Sequence, residues 1–479
     1  MCCGALPRRS AAQAWFADRD RIEGHGLRIG DLEFHPGIGA ELGFETNPFL
    51  EADQVGEAGG LTVEESVKPS ATMRVSPHLF LSTLGEDRLT DASGVYTPPS
   101  FAFRGGLSGS LQWLGVGPGT RNYGGVGQVR YLGRVDLDET FLPERPFSVG
   151  FEQEGSINQL PLQGQQSNHY HAAAGTRIEF GTRGGLLRAI LGYKFNLDRY
   201  DALQNDGHDH RLQQRLLWEF LPKTALFQDL EVTMQTYDKA GKDSFLEGAD
   251  EYAFLIADKV NNDRVNTRVG VNGAVTKTLA ATVSLGYGAV FFGEGNQARD
   301  AEGLIGQAQV NWEPSERISS AAGYGRDVSS ALQGNTVVVN HFFVRGELVV
   351  GGVFLVGAEG RLGLYDYGDD EQQRALAEGV DSALLDSFGL RVGARRSDVK
   401  LTVDLNGEYR LSNWLAFTGQ LSYDTNFSDY AFLFPDLEDV TRAMEAAATT
   451  SGDVTPEVSF ASPIGYTNVV AMVGVRAFL

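Results

Sequence analysis

Apolar and polar residues alternate one by one along much of this chain. Between residues 398 and 412, Val399, Leu401, Val403, Leu405, Tyr409 and Leu411 interleave with Lys400, Thr402, Asp404, Asn406, Glu408 and Arg410. A period of two puts one set on each face of a β-strand. After Ser412-Asn413 the pattern resumes, with Leu415, Phe417, Leu421 and Tyr423 set against Ala416, Thr418, Gln420, Ser422 and Asp424. Soluble strands average about five or six residues, and these runs are longer. Their polar face carries full charges, so water must reach it while the other face stays apolar.

The same signature recurs at 31–45, 68–82, 101–113, 122–137, 146–154, 167–181, 185–199, 207–221 and 225–238. It continues at 262–277, 280–293, 302–313, 317–328, 334–347, 353–367, 397–411, 414–428 and 465–479, eighteen runs in all. The run at 146–154 is the weakest, which leaves sixteen as the alternative. Tight breaks fall at Arg183-Gly184-Gly185, Pro222-Lys223-Thr224, Lys277-Thr278-Leu279, Glu313-Pro314-Ser315, Gly351-Gly352 and Ser412-Asn413. Between them lie longer links at 200–206, 239–261, 294–301, 368–396 and 429–464; the 84–100 link alone is long on the short side. Short turns alternating with longer loops predict an all-β fold, a transmembrane antiparallel up-and-down β-barrel with its short turns in the periplasm.

On that reading Ala281, Val283, Leu285, Tyr287, Ala289 and Phe291 face lipid, as do Leu187, Ala189, Leu191, Tyr193, Phe195 and Leu197. Trp113, Trp218, Tyr237, Trp312, Tyr365 and Trp414 lie near run ends and are expected to form aromatic girdles. The links 371–387 and 436–448 carry apolar residues at helical spacing among many Asp and Glu. They predict short helices in long acidic extracellular loops, capping the mouth in preference to constricting it.

Composition narrows the picture further. The longest apolar run, LVVGGVFLVGA at 348–358, is far short of the about eighteen residues that a transmembrane helix needs. Transmembrane strands need only about nine to eleven, half of them polar. A net charge of −22 argues against a nucleic-acid partner. The two cysteines are Cys2 and Cys3, so the body has no disulfide framework and no cysteine metal site. Ala12-Gln13-Ala14 fits a signal cleavage site, although MCCGALPRRS lacks an apolar core. Residues 1–14 are therefore expected to be the remnant of a secretory signal; a cytosolic start with a coincidental Ala-Gln-Ala is the alternative, and a lipoprotein cysteine a further one. Residues 15–30 follow as a periplasmic lead-in, and the barrel occupies 31–479. No HExxH, GxxxxGK[ST] or GxSxG motif occurs, so neither an enzyme nor a cofactor is expected.

The opening strand LEFHPGIGAELGFETNPFL (32–50) ends in Glu45-Thr46-Asn47-Pro48-Phe49. This resembles the "D/E-x-N" strand end of β-barrel porin-2-type outer-membrane proteins, a group that includes myxobacterial barrels encoded with polysaccharide-secretion systems. The last run, TNVVAMVGVRAFL, is similar to the terminal strand read by the barrel-insertion machinery, except that Phe478 is penultimate and Leu479 last. The resemblance implies about eighteen strands in the bacterial outer membrane and transfers no catalytic residue.

By register the inward-facing charges include Arg130, Arg134, Arg188, Lys194, Arg211, Arg215, Arg264, Arg268, Glu359, Arg361, Lys400, Asp404, Glu408 and Arg410. Mixed signs interleaved with Gln, Asn and Ser suit a hydrated pore for neutral or weakly charged chains, whereas a single-sign ring selects ions. The same residues could equally be cross-strand salt bridges that solvate the wall. The leading expectation is passage of a cell-surface polysaccharide handed over by a periplasmic export partner. A general diffusion porin and a structural or adhesion barrel acting through acidic loops are the rivals. Lipid and lipopolysaccharide are the remaining expected partners. His169 with His171, and His208 with His210, each share a face and could hold Zn²⁺ or Cu²⁺ with a third ligand. Histidines at a polar rim are the commoner case, and no metal is assigned.

Overall fold

The computed structural model describes residues 26–48, 50, 56–58, 61–63, 69–83, 99–115, 128–143, 145–162, 165–181, 186–200, 206–238, 260–293, 301–315, 317–331, 336–368, 395–435 and 458–479. Wall strands are numbered in chain order. The first six are β1 (Leu32–Glu45), β2 (Ser70–Thr83), β3 (Phe101–Gly115), β4 (Gln128–Phe141), β5 (Phe147–Leu162) and β6 (Gln165–Phe180). Next come β7 (Leu187–Tyr200), β8 (Gly207–Leu221), β9 (Thr224–Tyr237), β10 (Asn262–Ala274), β11 (Leu279–Phe292) and β12 (Ala301–Ser315). The wall ends with β13 (Ile318–Ser330), β14 (Thr336–Val350), β15 (Phe354–Tyr367), β16 (Ser397–Ser412), β17 (Leu415–Phe427) and β18 (Tyr466–Phe478).

Each strand pairs antiparallel with its neighbours in sequence, and β18 pairs with β1, so eighteen strands close into a cylinder. Closure leaves no unpaired edge, which is what lets a sheet stand in hydrocarbon. Among the described residues there is no helix. The links from β1 to β2 and from β17 to β18 contribute a small separate sheet. In it, Ala431–Pro435 pairs with Val458–Pro463, and Gly56–Ala58 with Leu61–Val63. The helical patterns at 371–387 and 436–448, and residues 1–25, lie outside the described residues.

Register fixes the faces. In β1, Ile38, Leu42 and Phe44 point outward and are exposed, while Glu33, His35, Glu41 and Glu45 point inward and are buried. Leu191, Val269, Val283, Leu285, Val344 and Val473 continue the exposed apolar exterior around the wall. Phe101 meets Phe141 at 5.0 Å between ring centroids, and Phe147 meets Phe180 at 5.5 Å, at the short-turn end. Trp218, Trp312 and Trp414 lie outside at that same end, and Trp113 outside at the other. A dry exterior around a charged interior, closed on itself, is the build of a barrel spanning the bacterial outer membrane. Strands of 13 to 16 residues exceed what that membrane needs.

The structure corrects several local expectations. Tyr237 and Tyr365 pair with Gly207 and Asp398 on the inward face, so they belong to the lumen and not to a girdle. The fourth strand runs from 128 to 141, later than the expected 122–137. The weakest run is a full strand, β5, of 16 residues. Gln153 and Gly155 stand at its lipid-facing positions opposite Leu137 and Val135, and they erase the apolar half of the alternation there. The link 163–164, on the long-loop side, holds only two residues and is a second exception to loop alternation.

Candidate functional site

The lumen wall is the polar face of the eighteen strands, and all fourteen residues singled out above lie on it by register. They do not converge on one spot. Instead they form separate ionic groups that reach along the wall to neighbouring strands.

The first group stitches the seam where β18 meets β1. Glu45 is buried, and Arg130 Nη1 donates to both of its oxygens at 3.3 Å. Gln112 and Asn468 also donate to Glu45, at 3.2 and 3.0 Å. Asn468 Oδ1 in turn accepts from the backbone N–H of Asn47 at 2.9 Å, and the backbone N–H of Val469 donates to Thr46 Oγ1 at 2.7 Å. The Glu45-Thr46-Asn47 strand end thus ties the first strand to the last. Just below it Arg74 pairs with Glu41 and donates to Gln420 at 2.9 Å. On the far side of the seam Glu408 accepts from Arg410 at 2.9 Å and from Arg476 at 3.3 Å.

The second group climbs β4 to β7. Arg134 lies 3.5 Å from Asp136 and 3.6 Å from Glu154, and Lys194 reaches Glu154 at 3.3 Å. Arg177 bonds Glu152 at 2.7 Å, and Arg188 bonds Glu179 at 2.8 Å. Farther round, Arg211 is 3.9 Å from Asp209, Arg215 forks onto Asp229 at 2.6 and 2.7 Å, and Arg264 is 3.5 Å from Glu231. Arg268 spans three strands to Asp327 at 2.9 Å. Glu359 pairs with Arg361, Asp404 accepts from Ser422 at 2.6 Å, and Lys400 sits over the Tyr365 ring at 5.1 Å.

The wall therefore carries both signs in local balance, with hydroxyls and amides between the pairs. The expected set of inward charges left out Arg74, Arg177 and Arg476, and the acid partners Glu41, Glu45 and Glu154, although Glu41 and Glu45 stand on the polar side of the first run. The same alternation held the signal for them, since each occupies a polar position of a recognised strand.

The two histidine pairs part company. His208 and His210 register with Leu197 and Phe195 and so face outward, where His210 Nδ1 shares a hydrogen bond of 2.8 Å with the Tyr193 hydroxyl. His169 and His171 face the lumen, beside Asp198 on β7. On the lipid side of the seam, Leu42, Phe44, Leu405, Gly407, Gly419, Leu421, Ala471 and Val473 border a shallow groove of about 440 Å³.

No protein-family model matches the chain, and no curated protein matches it in sequence. Solved structures that align with it include the siderophore receptor PirA from Pseudomonas aeruginosa, at 9% identity over 92% of this chain and 80% of that one, with a TM-score of 0.39. Another is the FrpB iron transporter from Neisseria meningitidis, at 9% identity, 95% and 82% coverage and a TM-score of 0.44. The copper transporter OprC aligns at 9% identity, 95% and 81% coverage and a TM-score of 0.39. The closed barrel stands on its own strand pairing, and nothing that those proteins carry is transferred to this chain.

Proposed function

We propose that the chain is an outer-membrane channel for neutral, hydroxyl-rich solutes, of which a cell-surface polysaccharide is the polymeric case. The observation that carries this reading is the lumen wall itself. Cations and anions pair with each other along it, so a passing ion meets no field of one sign. Sugar hydroxyls both donate and accept, which suits a surface of carboxylates, guanidinium groups, amides and hydroxyls held in fixed positions. Unplugged barrels of about sixteen to eighteen strands leave an aqueous channel. Nothing in the described wall supplies energy, so direction must come from a periplasmic partner. The Glu45-Thr46-Asn47 strand end and its resemblance to the porin-2-type group agree with the same reading.

Planar-bilayer recording tests it. Stepwise conductance with a reversal potential near zero in a KCl gradient supports a neutral-solute channel. A closed barrel, or strong selectivity for one sign of ion, rejects it. For the polymer, loss of extracellular polysaccharide on deletion of the gene, with small-solute uptake unchanged, is the expected result. The opposite pattern makes the protein a diffusion porin.

A further inference from the structure

One cluster on the lumen wall is built differently from the ion pairs around it. His169 and His171 stand two residues apart on β6, and Asp198 on β7 is the register partner of His171. His169 Nε2 lies 2.7 Å, and His171 Nδ1 2.8 Å, from the same oxygen of Asp198. The three atoms are all within 4.8 Å of one another. The Tyr200 ring stacks on His169 at 4.4 Å and 9° between planes, which fixes that imidazole. The His171 side chain is only 8% exposed, and its Nε2 is buried without a hydrogen-bond partner among the described residues.

We propose that His169, His171 and Asp198 form a binding site for a divalent transition-metal ion, Zn²⁺ or Cu²⁺, near the long-loop mouth of the lumen. Two imidazoles and one carboxylate are the donor set of such ions, whereas Ca²⁺ and Mg²⁺ take oxygen ligands. Bonds of about 2.0–2.2 Å put neighbouring ligand atoms roughly 3.3 Å apart around a tetrahedral ion. The present separations, 2.7 and 2.8 Å to Asp198 and no more than 4.8 Å between the imidazoles, bracket that value. All three ligands stand on adjacent, fully hydrogen-bonded strands, so the order that binding requires is already in place. His169 and Asp198 keep 20% and 26% of their side-chain surface open to the lumen, which leaves the ion a route in. His208 and His210 cannot join, because they face the other side of the wall. The site needs only the folded barrel, and so it does not depend on the transport reading.

The test uses the full chain folded in detergent and stripped with chelator, with Cys2 and Cys3 changed to serine. CuCl₂ is titrated and followed by electron paramagnetic resonance, and ZnCl₂ is then added as competitor. One equivalent of Cu²⁺ with nitrogen hyperfine structure, displaced by Zn²⁺, is expected. His169→Ala, His171→Ala and Asp198→Asn should each weaken binding at least tenfold, while the His208→Ala/His210→Ala double variant binds as before. Heat-modifiable gel mobility confirms that every variant is folded. Absence of saturable binding, or unchanged affinity in folded His171→Ala, overturns the proposal.

Discussion

Glu45 shows what a single side chain does in this wall. It is 4% exposed and holds Arg130, Gln112 and Asn468 at the top of the seam. Removing one member of a buried ion pair strands the other in a place where water cannot solvate it. Glu45→Ala should therefore cost about 3–5 kcal/mol, read as the urea midpoint of barrels in lipid vesicles. The Arg215–Asp229 pair has equally good geometry, yet the arginine side chain is 44% exposed. Asp229→Asn should cost no more than about 1 kcal/mol in the same assay, because solvent screens an open pair. The sequence made the inward direction of Arg130 legible but not its partner. Alternation assigns a face to each residue, whereas Asn47 and Asn468 meet only because the two ends of the chain close on each other.

The strands were legible wherever the lipid face is apolar without a break. β11 reads cleanly from Ala281 to Phe291, while β5 fades where Gln153 and Gly155 take lipid positions. Within β11 one glycine is required by its neighbour. A Cβ on Gly286 would lie 1.9 Å from the Thr267 carbonyl oxygen and 2.7 Å from Arg268 Cγ. The Arg268 side chain crosses this bare spot to reach Asp327. Gly286→Ala should destabilise the barrel by about 1–3 kcal/mol through overpacking. Gly303 has nothing within 4 Å of its Cβ position, so Gly303→Ala should be neutral or stabilising by up to about 1 kcal/mol. Equal effects of the two variants on the urea midpoint would contradict this account of β11. Loops gave weaker evidence than strands. The two-residue link at 163–164 obeys no length rule, since an antiparallel pair can close through a turn that short on either side of the membrane.

At the scale of the whole molecule, the defining fact is that two solvents meet across one sheet. Leu285 is 65% exposed on the outer face near the middle of β11, beside Val269 and Gly306. Leu285→Arg should cost about 2–4 kcal/mol in a bilayer. Gln307→Arg, on the inner face of the next strand, should leave folding within about 0.5 kcal/mol of native. Equal damage from both would mean that the faces do not see different surroundings. The number of strands could be read from the sequence because each run reports its own two environments. The cross-strand ionic groups and the histidine–aspartate cluster could not, since they depend on which strand lies beside which.

The meeting of β1 and β18 is ruled by nine register pairs, against fourteen between β1 and β2 and twelve between β17 and β18; β12–β13, with eight, is the one shorter ladder of the wall. If the cylinder ever parts sideways toward the membrane, this line and β12–β13 are where the ladders are shortest, and here Glu45, through Asn468, and Arg74, through Gln420, act as the latch that keeps it shut. A disulfide placed across this junction should slow unfolding more than one placed across β1–β2, where fourteen register pairs already hold.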